Sequence, residues 1–478
     1  MSLKKKCLIT RIGCLIKLSD INTKILDNMC VTRTKKIGDK KIVKSIKLYK
    51  YVKINNIDYI NYAIGVNLNS NSNSNSNLNL DLNLDLEYVN HNHNIKKLDI
   101  NSEVELEDYQ ENYKNKILEV FKHEHFKSCL FVMDTGMGKT FVATSLISVL
   151  KTPTLIIIPN KSNIKGWKSA ISMYLDLEIG EYHSDVKKLA DIMIVTIDSS
   201  LTDIFNFGKI QMKKSEFFNR FGFVIYDEIH DYVTNTRHEI FWQTNFMYKL
   251  GLTATPDERQ DEMDEVHMKH MKNIIRADKL TEIWKCNVNV IEYYGSPDYT
   301  EVILNNQGWL DVCKMQKQFS NDPYRKQYCE NLIIDLYNKN RNIFVFAIHR
   351  QPLEEMINRI SNKVSNISYF AGGNENITSD DVRIIFTTYG YGKQSISIPK
   401  MDTIVFLQPV KNKMRQIIGR ITRKSGNTNI VREIYDIRDM NTKLKSQYSS
   451  RKLIYMEKNF NIIKTKIDYK NLLKNGDN

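Results

Sequence analysis

A glycine-containing loop between an apolar strand and a helix is a candidate site for binding phosphate groups. The apolar run at 130–133 indicates the strand, and the pattern at 141–150 indicates the helix. Gly136 and Gly138 would let backbone N–H groups turn inward, and the start of the helix would add partial positive charge. Lys139 would reach the β- and γ-phosphates of a nucleotide, and the Thr140 hydroxyl would bind Mg²⁺. The residues expected to contact the nucleotide here are Met133, Asp134, Thr135, Gly136, Met137, Gly138, Lys139 and Thr140.

Two adjacent carboxylates, Asp227 and Glu228, follow a second apolar strand at 223–226. Open α/β sheets bind ligands at the carboxyl ends of their strands. Asp227 would therefore hold Mg²⁺, and Glu228 would orient and deprotonate an attacking water molecule. The alternative is a solvated acidic turn, which the buried strand before the pair and the upstream glycine loop both disfavour.

A third motif, QIIGRITR at 416–423, contains Arg420 and Arg423 three positions apart. On a helix, side chains with that spacing share one face. Both guanidinium groups could then point at a γ-phosphate and stabilise charge in the transition state. By itself the motif is equally consistent with a solvated basic helix, and its place after the first two motifs favours the catalytic interpretation.

Short apolar strands that alternate with amphipathic helices are predicted to position these motifs. The strands fall into two groups, at 130–133, 154–158, 192–196 and 223–226, and then at 342–347, 382–388 and 403–407. Continuous apolar strands of this kind are typical of parallel sheets buried on both faces. The sequence therefore predicts an α/β fold with two doubly wound domains that divide near Lys285.

Composition limits the class of protein. The 478 residues carry 69 Lys and Arg against 55 Asp and Glu, a net charge of +14. This excess is consistent with solubility alone or with a polyanionic partner, nucleic acid rather than membrane. The seven cysteines contain no CxxC pair, which favours free thiols in a reducing, intracellular compartment. We find no signal peptide pattern and no apolar run long enough to cross a membrane.

The motifs MDTGMGKT, DEIH, GLTATP and QIIGRITR, in this order, resemble motifs I, II, III and VI of the superfamily 2 helicases of the DEXH type. The resemblance covers roughly residues 103–440. The QxxGRxxR form and the tail at 449–462 look most like the poxvirus transcript-release DNA helicases and their giant-virus relatives.

The resemblance implies two tandem RecA-like domains, at 95–284 and 285–445, that clamp ATP and Mg²⁺ between them. Independently of the resemblance, the β-branched and aromatic residues at 40–65 predict a small β-rich domain (1–66). The low-complexity alternation of Asn with Ser, Leu and Asp predicts a disordered connector (67–94), and a helical tail (446–478) is expected at the other end. By resemblance, Gln110 would read adenine, and Thr253 and Thr255 would couple hydrolysis to movement. The implied catalytic residues are Lys139, Asp227, Glu228, His230, Gln416, Arg420 and Arg423. The implied nucleic-acid groove would contain Lys161, Lys165, Thr196, Arg350, Thr388 and Lys393.

The implied activity is nucleic-acid-stimulated ATP hydrolysis coupled to unwinding or translocation, with DNA favoured because the arginine motif opens with Gln416 instead of His. An RNA helicase and a double-strand translocase stay open as alternatives. Ser395 and Ser397 stand where motif V usually has Gly and Asp, so a binding module that uses ATP only as a conformational switch is a further alternative.

The resemblance also implies the cytoplasm, a viral factory or a virion as the location and a transcription-machinery partner. Finally, the four tryptophans are expected to be packing residues and not base-stacking platforms.

Overall fold

The computed structural model describes most of the chain and divides it into two compact units. The described residues are 5–9, 14–21, 26, 29–37, 40–63, 84–88, 95–123, 127–243, 246–256, 261, 263–278, 285–371, 374–375, 381–392, 400–410, 414–422 and 430–474. The first unit comprises residues 1–134 and 138–278, and the second comprises 135–137 and 279–478. No helix among the described residues is both long and apolar enough to span a bilayer. The domain boundaries proposed from the sequence stay predictions.

The N-terminal region is β-rich, as expected. Its strands are β1 (Lys5–Ile9), β2 (Cys14–Lys17), β3 (Cys30–Ile37), β4 (Lys40–Lys47), β5 (Tyr49–Ile54), β6 (Ile57–Tyr62) and β7 (Leu84–Tyr88). They form a five-stranded sheet in the order β5-β6-β2-β1-β7 and a separate β3-β4 hairpin.

Strand β7 lies within the connector that we expected to be disordered, so that expectation is wrong for residues 84–88. The strand pairs in parallel with β1. Alternation of Leu84 and Leu86 with acidic residues is a period-two pattern that suits a strand. The rest of 67–94 lies outside the described residues.

The β3-β4 hairpin packs against the α/β part of the first unit. One buried apolar cluster joins the two parts through Val31, Ile46, Leu48 and Ala63 on one side and Val233, Trp242, Met263 and Val266 on the other. Basic residues of the N-terminal region also pair with acidic residues of the α/β part. These pairs are Arg33 with Glu265 at 2.8 Å, Lys44 with Asp261, and Lys50 with Glu239.

The α/β part of the first unit is built around an eight-stranded sheet. Its elements are α1 (Asp108–His123), β8 (Ser128–Val132), α2 (Lys139–Leu150), β9 (Thr154–Ile158), α3 (Ile164–Tyr174), β10 (Ile179–Tyr182), β11 (Lys187–Lys188), β12 (Ile192–Thr196), α4 (Ile197–Ser200), β13 (Ile204–Phe207), β14 (Ile210–Lys213), α5 (Lys214–Phe218), β15 (Phe223–Tyr226), β16 (Tyr248–Thr253), α6 (Glu265–His270) and β17 (Asn273–Arg276). The sheet order is β11-β10-β12-β9-β15-β16-β8-β17. All neighbours are parallel except β11, so the seven parallel strands present their carboxyl ends at one edge.

The second unit contains a similar sheet. Its elements are β18 (Cys286–Tyr294), α7 (Val312–Ser320), α8 (Pro323–Asn338), β19 (Ile343–Ala347), α9 (Arg350–Ile360), β20 (Ile367–Ala371), β21 (Asn374–Glu375), β22 (Ile384–Thr388), α10 (Tyr389–Gly392), β23 (Thr403–Phe406), α11 (Met414–Ile418), β24 (Arg432–Asp439), α12 (Tyr448–Glu457), β25 (Asn461–Asp468) and α13 (Tyr469–Lys474). The sheet order is β21-β20-β22-β19-β23-β24-β18-β25. Successive residues of β19 alternate between two apolar cores, so both faces of the sheet are covered. The predicted α/β fold with two doubly wound sheets is confirmed.

The C-terminal tail differs from the helical tail that we expected, because it contains a strand. β25 pairs in parallel with β18 and is the edge strand of the second sheet. Its Ile and Thr residues favour an extended backbone. The preceding helix α12 is tied to the sheet by a buried ion pair, in which Arg451 donates to both carboxylate oxygens of Asp436 at 2.8 and 2.9 Å.

Candidate nucleotide site

The glycine loop follows β8 and leads directly into α2. Gly136 and Gly138 have φ values of 87° and 89°, which favour glycine over other residues. The Nζ atom of Lys139 donates a hydrogen bond to the carbonyl oxygen of Met133 at 2.8 Å. Lys139 is the first residue of α2, so its ammonium group lies beside the helix terminus that attracts anions.

Gln110 lies against this loop. A Cβ atom built on Gly138 would come within 2.1 Å of Gln110 Nε2, so the two residues approach as closely as a glycine allows. The Gln110 side chain is buried and accepts a hydrogen bond from the Glu107 N–H group at 3.1 Å. The structure therefore places the proposed adenine-reading residue next to the proposed phosphate loop, although the two lie far apart in sequence.

Asp227 follows β15 at the carboxyl edge of the sheet, and two side chains of the adjacent segment hold it. Its Oδ2 atom accepts hydrogen bonds from Trp167 Nε1 at 3.0 Å and from Asn163 Nδ2 at 3.1 Å. Burial, reinforced by the nearby charge of Glu228, raises the pKa of Asp227 to about 6. Sequence reasoning missed Trp167 and Asn163 as partners of Asp227. Both residues follow β9, which pairs with β15, and that pairing is visible only in the structure.

Glu228 has a left-handed backbone conformation, with φ at 48°. Its Oε2 atom is buried without a hydrogen-bond partner in the described part of the chain, and His230 Nδ1 lies 3.4 Å from it. A non-glycine residue in this conformation costs free energy, so the surrounding structure must hold it there. Glu228 therefore combines an unfavourable backbone conformation with a buried carboxylate oxygen that no described residue hydrogen-bonds.

His230 links this acidic site to the end of β16. Its Nδ1 atom is hydrogen-bonded to Thr253 Oγ1 at 2.9 Å, and the same oxygen accepts the N–H group of Thr255 at 3.1 Å. All three side chains are buried. The two threonines that the resemblance implied as coupling residues are therefore in one hydrogen-bonded chain with His230.

The residues of the first unit fit a nucleotide-bound Mg²⁺ ion. The Thr140 hydroxyl in the first turn of α2 and the carboxylate of Asp227 are oxygen donors of the kind that Mg²⁺ prefers. The buried carboxylate of Asp227 and the Glu228 oxygen that has no hydrogen-bond partner among the described residues place acidic oxygens at this edge of the sheet. No cluster of three or more His, Cys, Asp or Glu residues with metal-binding geometry occurs in the described ranges. Mg²⁺ normally binds through one or two protein ligands together with phosphate oxygens, so the small donor set is sufficient.

Three of the proposed nucleic-acid contacts lie along the carboxyl edge of the first sheet. Lys161 is exposed and pairs with Asp185 at 2.6 Å, and Lys165 is exposed in the first turn of α3. Thr196 ends β12 and donates its hydroxyl hydrogen to Ser199 Oγ at 2.8 Å. In the second unit, Arg350 begins α9 with its side chain exposed, and Thr388 ends β22. Lys393, Ser395 and Ser397 lie outside the described residues.

The arginine motif differs from the expected helix. α11 ends at Ile418, before Arg420, so the prediction that Arg420 and Arg423 share one helix face is wrong. Gly419 disfavours continuation of the helix, and tighter turns follow in which Arg420 N–H donates to Ile417 O at 2.9 Å. Arg420 is buried, Gln416 lies in α11, and Arg423 lies outside the described residues.

The packing role expected for the tryptophans holds for only some of them. Trp167 and Trp242 are buried, whereas Trp309 is 50% exposed, so the packing role is wrong for Trp309. Trp284 lies outside the described residues.

Two mainly parallel α/β sheets, the first with a glycine loop and an Asp-Glu pair at its carboxyl edge, define a protein of the RecA-like class. The fold is similar to that of a variant of S. cerevisiae Dbp5 bound to RNA and ADP BeF3, with a TM-score of 0.52 and 11% identity over 77% of this chain and 92% of that chain. Residues 103–258 match the family model described as type III restriction enzyme, res subunit.

Relatives in sequence identify the family. The chain is 30% identical over 393 residues to the African swine fever virus (isolate Pig/Kenya/KEN-50/1950) protein named "Putative ATP-dependent RNA helicase QP509L", which covers 77% of this chain and 76% of the relative. It is 34% identical over 169 residues to the DNA 3'-5' translocase XPB2 of Sulfurisphaera tokodaii, over 35% of this chain and 34% of that protein. The chain belongs to the superfamily 2 helicases, in the group that contains this African swine fever virus protein. It is an ATP-dependent helicase or translocase.

Proposed function

We propose that the protein hydrolyses ATP bound with Mg²⁺ in order to move along or unwind duplex DNA. The observation that carries this proposal is the placement of Lys139, Asp227 and Glu228 at one edge of the first sheet, at the ends of β8 and β15. Thr140 and Asp227 hold Mg²⁺, which when bound neutralises charge on the phosphate oxygens. Lys139 binds the phosphates and Gln110 binds adenine. Glu228 accepts the proton of the attacking water molecule.

Hydrolysis is linked to nucleic-acid contact through the chain of hydrogen bonds from His230 to Thr253 and Thr255. Gln416, Arg420 and Arg423 complete the catalytic set, with the arginines stabilising charge on the γ-phosphate. The nucleic acid is held mainly through its phosphates by Lys161, Lys165, Thr196, Arg350, Thr388 and Lys393. Such contacts carry little sequence preference.

DNA is proposed as the polymer because the arginine motif begins with Gln416, and the similarity to XPB2, which is named a DNA translocase, supports it. An RNA helicase is the second candidate, because QP509L carries that name and covers more of this chain. ATPase stimulation measured with single- and double-stranded DNA and RNA, across a salt series, distinguishes the two. DNA should give the larger stimulation, with a salt dependence that reports the number of phosphate contacts.

Single-turnover phosphate release tests hydrolysis itself. The wild type should release phosphate, and Lys139→Ala and Glu228→Gln should each reduce the rate by at least about a hundredfold. ATP binding without phosphate release would instead make the protein a conformational switch. The proposal would be wrong if neither DNA nor RNA raised the ATPase activity and if Lys139→Ala did not abolish that activity.

Viral transcription is the proposed setting, because the relative with the longest alignment described above is a viral protein. The protein would then act in the cytoplasm or a viral factory and contact the transcription machinery. Affinity purification from infected cells should recover RNA polymerase subunits with the wild type. Their absence would leave the ATPase proposal intact and remove this setting.

A further inference from the structure

An apolar hairpin with an exposed tryptophan projects from the second unit. Between β18 and α7, Leu304 and Leu310 face each other in an antiparallel bridge. Leu304, Trp309 and Leu310 are 53%, 50% and 42% exposed. The run from Val302 to Leu310 contains no charged residue. A cluster of large apolar side chains on a protein surface usually marks a binding site.

The hairpin tip is held in one conformation by its own hydrogen bonds. Asn305 N–H donates to Trp309 O at 2.7 Å, and Asp311 N–H donates to Ile303 O at 2.8 Å. The Asn305 side-chain oxygen accepts the N–H groups of Gln307 and Trp309 at 2.9 and 3.1 Å. Gly308 has a φ of 77°, which the tight turn requires. The exposed indole is therefore presented by an ordered support, which lowers the entropic cost of binding a ligand.

The hairpin leaves the sheet at the edge that carries the second unit's proposed nucleic-acid contacts. β18 and β19 belong to one run of parallel strands, so the hairpin after β18 and the loop with His349 and Arg350 after β19 leave the same edge. Helix α7, which directly follows the hairpin, contacts that loop, because Cys313 Sγ lies 3.6 Å from His349 Nε2. Three exposed basic residues lie after the hairpin or on the neighbouring loop, namely Lys314, Lys317 and Arg350. The uncharged run itself is bounded by Glu301 and Asp311, and Asp311 pairs with Lys314 at 3.5 Å.

We propose that Trp309 stacks on an unpaired nucleobase while the neighbouring cations bind the phosphates of the same strand. This inference rests on the proposed nucleic-acid-dependent function and assigns a base-stacking element to it. An uncharged tip that carries a flat aromatic ring, together with exposed lysine and arginine at the same edge of the sheet, is a combination that binds single-stranded nucleic acid. An acidic protein partner would use the cations without a need for an exposed indole. Stacking of this kind is worth roughly 1–3 kcal/mol per base, which is about 5–150-fold in affinity.

The test uses the full-length protein and a forked duplex with 2-aminopurine at successive positions of one single-stranded arm. Wild type should quench 2-aminopurine at one or two positions. Trp309→Ala should abolish that quenching and weaken binding of the arm about tenfold, with ATPase activity in the absence of nucleic acid unchanged. Trp309→Phe should retain most of both effects. Leu453→Ala, at another exposed apolar residue, is the matched control and should behave as wild type.

The outcomes separate this inference from the function on which it rests. Wild-type ATPase that no nucleic acid stimulates would overturn the function and the stacking together. Normal stimulation with unchanged affinity and quenching in Trp309→Ala would overturn the stacking alone. Trp309→Ala could also bind nucleic acid normally but show reduced self-association in sedimentation. That result would assign the hairpin to contact with a second copy of the chain and would also overturn the stacking.

Discussion

His230 Nδ1 and Thr253 Oγ1 are joined by a hydrogen bond of 2.9 Å, although the residues lie 23 positions apart. The bond connects the turn after β15 to the end of β16, and both side chains are buried. It is therefore a physical connection between the segment that holds the acidic pair and the segment of the two threonines.

We predict that His230→Ala and Thr253→Val each reduce the stimulation of ATPase by nucleic acid about tenfold, because each removes the same bond. Hydrolysis without nucleic acid should change less, since Asp227 and Glu228 stay in place. Steady-state ATPase with and without DNA measures both effects. The double variant should be no worse than either single variant. Multiplicative losses would show that the two residues act independently.

Gly138→Ala should destroy nucleotide binding. The added methyl group would meet Gln110 Nε2 at 2.1 Å, and the φ of 89° disfavours any other residue. Binding of a fluorescent ATP analogue should become undetectable, with a loss of stability of about 1–3 kcal/mol. Gly166→Ala in α3 is the control, since a Cβ there meets nothing within 4 Å. It should be neutral or stabilising by up to about 1 kcal/mol, and equal effects of both substitutions would contradict the steric argument.

Asp227→Asn should stabilise the Mg²⁺-free protein while it abolishes hydrolysis. Folding raises the pKa of this acid from 3.8 to about 6, so in the absence of Mg²⁺ the ionised carboxylate opposes folding above that pH. Removal of the charge should stabilise the first unit by about 1–3 kcal/mol at pH 7.5. The gain should diminish as the pH falls from about 6 toward 4, where the wild-type acid is protonated in the folded state. Thermal unfolding at several pH values in EDTA measures it, and a gain that is constant from pH 4.5 to 8 would contradict the assignment.

Ile46→Ala should loosen the contact between the β3-β4 hairpin and α6. Ile46 is buried in the cluster that contains Val266, so truncation should cost about 2–5 kcal/mol. Hydrogen exchange followed by mass spectrometry should show faster exchange in α6 as well as in β4. Ile54→Ala, at a 40% exposed residue of β5, is the control and should leave α6 unchanged. Faster exchange confined to the N-terminal strands would mean that the hairpin does not support α6.

Much of the fold could be predicted from the sequence, because a parallel strand that is buried on both faces is a short run of consecutive apolar residues. The apolar runs at 154–158 and 192–196 are strands with those bounds. β18 was missed since it mixes polar and apolar residues, and β25 since it follows a helical segment. The end of α11 at Ile418 was missed because a motif match carries residue types and spacing but no backbone geometry.

The sequence by itself determined which residues could do the chemistry, because the loop before α2 and the Asp-Glu pair after β15 are each built from consecutive residues. Only the tertiary structure decided what surrounds them. Trp167 and Asn163 hold Asp227 across 60 and 64 positions, and Gln110 reaches the glycine loop from α1. The tertiary structure also decided that the Trp309 side chain is exposed at the surface and not packed in a core. The physical reason is that strand order and side-chain burial depend on which distant segments pair, and neither local propensity nor hydrophobic periodicity contains that information.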